Sequence, residues 1–336
     1  MENKTARISY IDVAKGIAIW LMIQGHQYIS EQTSLYINSF HMPLFFFISG
    51  MFFRIKKPFF QELESAVRGL LVPYLFFSVL NLAVCWISPY VHPELYYNIK
   101  GFDVFKAAIT GIFIGMDRVT PTSFLPLGPL WFLMALFVIR IFCSAIASFV
   151  KREFIWAFVT IFISIVLYFV VNTSVYSLDS ALMSTPFYVA GFWVSKFDIQ
   201  NLRFKPLILL CLILYFILVV PFNGTCSSDG ARYGNWLFFY YFNAIVGTMI
   251  VLISSLYVQK CNILEKIGRN TLVILGTHAF FIKAMQIVSV LIWGTESMHS
   301  LFYVTLVPLI TIACCFPVGI LVNKYIPFAV GKKQGS

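Results

Sequence analysis

Residues 8–54 read ISYIDVAKGIAIWLMIQGHQYISEQTSLYINSFHMPLFFFISGMFFR. Two apolar runs are joined by a short polar link, and the first run carries Lys15 and His26. Ionisable groups are costly in a bilayer, so such residues inside a span are functional candidates by default. Eleven helical steps of about 100° make roughly three turns, which sets Lys15 and His26 on one helix face. At about 1.5 Å per residue they stand about 16 Å apart along the axis. One face thus carries a cation near one membrane surface and an imidazole near the other.

The remainder of the chain repeats the apolar theme. Of its 336 residues 60% are hydrophobic and 11% charged, with a mean hydropathy of +0.84. A soluble domain carries about 25% charged residues. Apolar runs long enough for a bilayer recur to the C-terminus. They predict an all-α, polytopic membrane helical bundle with ten spans, near 9–29, 40–54, 69–88, 129–150, 154–172, 181–195, 206–222, 236–258, 271–293 and 301–323. The whole of 1–336 reads as a single membrane domain. The first run is expected to stay as an uncleaved helix, because no small-x-small cleavage site follows it.

The net charge of +10 would fit a nucleic-acid binder, but its distribution does not. With both termini placed in the cytoplasm, seventeen Lys and Arg fall in inner segments and four in outer ones. The other three, Lys15, Arg140 and Lys283, lie inside spans. Segment 89–128 is the longest outer loop, and its apolar piece Phe105 to Met116 is too short to cross. That piece reads as an interfacial or re-entrant helix. The seven cysteines lack metal-ligand spacing and read as small buried hydrophobes, so no metal is expected.

The polar residues define the candidate site. His26 and His41 stand at outer helix ends across a short link, and an imidazole suits removal of a hydroxyl proton near neutral pH. The alternative is two interfacial histidines satisfied by water and backbone. Asp12 lies one turn before Lys15, where a local ion pair lowers the cost of both charges. Lys15 then reads either as one half of a pair that anchors the helix end or as a cation facing a cytoplasm-open cavity that binds an anionic donor. Arg68, with Arg54, Lys56 and Lys57, forms an inner basic cluster that reads either as a phosphate site or as topology-setting cations at lipid headgroups. Arg140 and Lys283 lie too deep to snorkel and are expected to pair inside the bundle with groups such as Asn81, Tyr168 or Asn243. His278 reads as a lone histidine held by a structural hydrogen bond. Trp131 opens span four, as a belt residue or a site residue.

Six ordered blocks carry a resemblance: DVAKGIAIWLMIQGH, FHMPLFFFISGMFF, RGLLVPYLFF, GPLWFLMALF, STPFYVAGF and IGRNTLVILGTH. Together they resemble the acyltransferase-3 family of membrane O-acyltransferases, most of all its fucose 4-O-acetylase-like branch. The resemblance implies ten helices and transfer of an acyl group, usually acetyl from acetyl-CoA, to a sugar hydroxyl at the cytoplasmic (inner) membrane. It places His26 on the family's essential histidine and Lys15 where many members have arginine. Arg68 stands in register with an arginine-rich run before the proline of span three. The expected mechanism docks acyl-CoA on Lys15, Arg54 and Arg68 and uses His26 as base with His41 beside it. Trp131 is a candidate oxyanion donor, and Asp12 supports the substrate side. Direct transfer and an acyl-His26 intermediate both remain open. Partners are then acyl-CoA, a sugar or glycan acceptor and the lipid bilayer, with no nucleic acid. The competing expectation is a polytopic transporter or flippase, against which stands the lack of two matched interrupted repeats.

Overall fold

The computed structural model describes residues 9–27, 29–91, 102–115, 128–171, 173, 175–228, 232–259, 261–294 and 300–332. They form an all-α bundle. Strand structure is confined to an antiparallel pair, β1 (Cys226–Ser227) and β2 (Arg232–Tyr233). Each of the ten expected apolar stretches holds a helix. These are α1 (Ser9–Gly25), α3 (His41–Gly50), α5 (Val72–Val91), α7 (Trp131–Phe149), α8 (Glu153–Val171), α9 (Leu178–Val194), α10 (Lys205–Asn223), α11 (Leu237–Tyr257), α13 (Thr271–Trp293) and α14 (Leu301–Tyr325). Short helices α2 (Glu31–Asn38), α4 (Phe59–Ala66), α6 (Phe102–Ile114) and α12 (Asn262–Arg269) complete the set.

Seven helices among the described residues are long and apolar enough to cross a membrane. The three shorter ones, α1, α3 and α9, run 17, 10 and 17 residues. They are buried along most of their length, whereas α8 and α10 turn bulky apolar side chains such as Phe158, Phe162, Leu210 and Leu218 outward. A helix apolar on every side belongs either in a core or in lipid. Here the short helices take the core together with much of α7, α11 and α13, while α8 and α10 form the rim.

Glycines let the core helices touch backbone to backbone, the small-residue packing that membrane bundles favour. A Cβ on Gly50 of α3 would overlap the Tyr188 carbonyl of α9, and one on Gly191 of α9 would overlap the Phe47 carbonyl of α3. The crossing of α1 and α12 is built the same way. Gly16 meets the Leu264 carbonyl and Gly268 meets the Asp12 carbonyl. All four glycines belong to the quoted sequence blocks.

Three features depart from the expectations. Span three starts earlier than residue 69, because α4, a π turn at Val67–Leu71 and α5 form one continuous helix. That helix carries Glu62, which is 5% exposed and meets Lys57 Nζ at 2.6 Å. Arg140 pairs with the same carboxylate, its Nε 2.6 Å from Oε1, and reaches Ser65 at 3.3 Å. Arg140 is therefore not held by Asn81, Tyr168 or Asn243. Asn81 instead donates to the Phe77 and Gly276 carbonyls, and Asn243 accepts from Tyr215. The third departure is α12, an amphipathic helix in what reads as an inner loop.

The apolar piece before span four does form a helix, α6, packed on α5. Tyr74 Oη donates to the Ile112 carbonyl at 2.9 Å, and Ser177 Oγ to that of Gly115 at 2.9 Å. Met116 and most of the proline-rich stretch after it lie outside the described residues. Cys226, the cysteine of the polar loop, is buried and free.

Candidate functional site

His26 lies one residue past α1, where its N–H closes the last turn on the Ile23 carbonyl at 3.2 Å. Its ring is open to the surface. The ring brought against it is that of His278, with centroids 5.4 Å apart and planes tilted by 31°. His278 is 1% exposed, and its Nδ1 lies 2.9 Å from the Ile274 carbonyl and 3.0 Å from that of Leu275. Carbonyls only accept, so Nδ1 carries the proton and Nε2 keeps a lone pair. The structural hydrogen bond expected of His278 is there, made to backbone, but the histidine is not a lone one, because its ring lies beside His26.

The depth of α13 is set by Gly276. The Phe77 ring occupies the place a Cβ would take, and Asn81 Nδ2 donates to the Gly276 carbonyl at 2.7 Å. His41 turns its Nδ1 back to the Ile37 carbonyl of α2 at 2.8 Å. α2 itself is started by Ser30, whose side chain accepts from the Thr33 N–H.

The other end of α1 is charged. Asp12 is 5% exposed and sits between two cations, Lys15 Nζ at 3.5 Å and Arg269 Nε at 3.5 Å. Arg269 also pairs with Glu265 along α12. The pairing of Asp12 and Lys15 is thus one half of a cross-helix triad. Arg269 was not among the expected site residues, although it lies in the IGRNTLVILGTH block with His278. Lys15 also stands 5.7 Å from the centre of the Phe52 ring. Arg54 is exposed after α3, and Arg68 pairs with Glu64 on its own helix.

Between the two ends lies a cavity of about 200 Å³. Ile19 borders it on α1, Phe45 on α3, Phe132 on α7, Gly69 on the π turn, and Thr271 and Leu275 on α13. Ile19 is one turn beyond Lys15, and Leu275 gives the carbonyl that holds His278. A Cβ at Gly69 would meet nothing within 4 Å, so the π turn leaves open space there. Single π turns inside α-helices are frequent at functional sites. Trp131, 5% exposed, is not among the lining residues and packs in the aromatic core, 6.3 Å from Phe46 and 6.4 Å from Phe132.

A family model described as an acyltransferase domain, Acyl_transf_3, matches residues 8–320. The chain belongs to the acyltransferase-3 family. The match starts at the residue before α1 and ends inside α14, so both ends of α1, α12 and His278 lie within it. No curated protein and no solved structure matches the chain. Membership, with its apolar helices, makes this a multi-pass membrane acyltransferase and favours that expectation over the transporter one. In this acyltransferase-3 chain the histidine of the first block is met by the histidine of the last block.

Proposed function

We propose that the protein transfers an acyl group, typically acetyl, from acyl-CoA to a hydroxyl of a cell-envelope sugar. The observation that carries this reading is the arrangement along α1. An open imidazole at one end and a cation-rich triad at the other are separated by an apolar cavity. In this reading ten helices cross the cytoplasmic membrane, both termini lie in the cytoplasm, and His26 is near the outer face.

The phosphates of the donor dock at the inner end on Lys15 and Arg269, with Arg54 and Arg68 adding positive potential around them. The acyl-bearing arm enters past Gly69 and lies along Ile19, Phe132 and Leu275. Those apolar walls exclude water from the thioester. His26 accepts the proton of the acceptor hydroxyl as its oxygen attacks the thioester carbonyl. The C–S bond then breaks, and the leaving thiolate takes the proton from His26. His278 acts on His26 as a positioning residue, since its ring, held by the backbone bond, packs against the neighbouring imidazole. An acyl-His26 intermediate is the alternative route through the same residues.

The test uses membranes containing the protein, labelled acetyl-CoA and de-O-acylated envelope glycan. Base-labile label should enter the glycan with wild-type protein. His26→Ala should lower this by about 10²–10⁴-fold, the range for a general base, at equal protein amount. Wild-type transfer in the variant would remove His26 from the chemistry.

A further inference from the structure

A second cavity, of about 560 Å³, lies at the end of the bundle that carries His26. Its location follows from α2, which starts five residues after His26 and packs on both α10 and β1. Tyr36 of α2 also donates to the Ile217 carbonyl of α10 at 3.0 Å. The cavity is walled by Tyr168 and Phe169 from the end of α8 and by Arg232, Tyr233 and Asn235 from the hairpin. Its volume falls within the roughly 300–1,000 Å³ of small-molecule sites.

The second strand and the residues after it are tied to the end of α10. Gly224, at φ +71°, ends α10 and lets the chain turn. Asn223, fully buried, donates from Nδ2 to the Tyr233 carbonyl at 3.1 Å. It accepts the Trp236 N–H on its side-chain oxygen at 2.8 Å and the Asn235 N–H on its carbonyl at 2.7 Å. Asn235 Nδ2 returns a bond to the Phe222 carbonyl at 3.1 Å. Tyr233 meets Tyr168 edge to face at 6.0 Å and Tyr240 at 5.0 Å, so the wall is fixed from both sides. Arg232 remains exposed, with no ion pair among the described residues. Phe169 is also exposed, at 67%.

We propose that this groove is an accessory subsite for a carbohydrate chain, holding the glycan whose reacting sugar lies at His26. The proposal rests on the acyltransferase reading above. Aromatic faces suit the apolar C–H faces of sugar rings, and a rigid wall costs little ordering entropy on binding. The fork of Arg232 supplies five donors for sugar hydroxyl or acid oxygens. An occupant of pure hydrocarbon would leave that guanidinium desolvated and unmatched, at high cost.

The experiment compares two acceptors with full-length protein in native membranes: de-O-acylated polymeric envelope glycan, and the disaccharide mixture obtained from it by partial hydrolysis. Arg232→Ala and Phe169→Ala alter exposed side chains and leave the hairpin bonds in place. Each should raise the ratio of polymer KM to disaccharide KM about tenfold, as loss of one good contact predicts. Arg232→Lys should recover part of the loss. An unchanged ratio in both variants, with wild-type transfer intact, overturns the subsite and spares the acyltransferase reading. No transfer by the wild type to either acceptor overturns both.

Discussion

At its first turn α1 holds a buried carboxylate between two cations, whereas just past its last turn it holds an open imidazole against a buried one. Asp12, Lys15 and Arg269 answer one another's charge across two helices that touch through Gly16 and Gly268. His26 and His278 carry no such compensation between them: two rings at 5.4 Å, one with its proton committed to the backbone. The difference teaches how a short apolar helix carries two kinds of polar cost. The charged end is locked where α1 and α12 touch backbone to backbone, with the ion pairs bridging that contact. The imidazole end stands open at the surface, which is where chemistry has room.

The sharpest way to break the locked end is steric. Gly268→Leu places a branched side chain where the Asp12 carbonyl already stands. No flexible side-chain tip can move aside, because the obstacle is backbone. Overpacking in a core costs about 1–3 kcal/mol when side chains can shift, and this crossing forces a helix apart, so the cost is expected to exceed that range. The protein should lose most of its folded yield, measured by size-exclusion profile and thermal melting in detergent. A monodisperse variant with wild-type melting would show that α12 is not anchored through this crossing.

The open end is tested at His278. Removal of the ring should reduce kcat about 30-fold, less than the roughly 10²–10⁴ of a general base itself, while both KM values hold. His278→Asn should recover part of that loss. Its amide can donate to the Ile274 carbonyl and still present an oxygen acceptor toward His26. If His278→Ala loses folded protein in proportion to activity, and Asn rescues neither, the ring is structural alone.

These contrasts also mark what one chain of letters can reveal. The apolar runs announce the helices that hold them, since a chain in lipid must satisfy its own backbone bonds. Lys15 and His26 stand out because they break such a run. Pairings between distant helices leave no comparable trace. His278 breaks a run just as His26 does, but nothing in the periodicity of α13 says that the ring beside it lies 252 residues upstream. Glu62 leaves no such trace because α4 is polar enough to read as a loop, so the sequence offers no carboxylate as a partner for Arg140. Arg269 read as one more inner cation. The aromatic groove was invisible because its walls come from α8 and from a hairpin joining two later helices.

The smallest expected effect concerns Lys15, and it separates the two jobs a cation at the locked end can have. Lys15 Nζ stands 3.5 Å from Asp12 Oδ1, with the side chain 29% exposed. In Lys15→Ala the carboxylate still has Arg269 at 3.5 Å, so the triad loses one member and keeps its cross-helix link. A partly exposed pair contributes at most about 1 kcal/mol, so melting should move little. If Lys15 also meets the phosphates of the donor, the loss should appear as a rise of about fivefold in the KM for acetyl-CoA, with acceptor KM unchanged. Lys15→Arg should restore the donor KM, because it returns the charge with a forked set of donors. Equal donor KM in wild type and Lys15→Ala would assign Lys15 wholly to the triad.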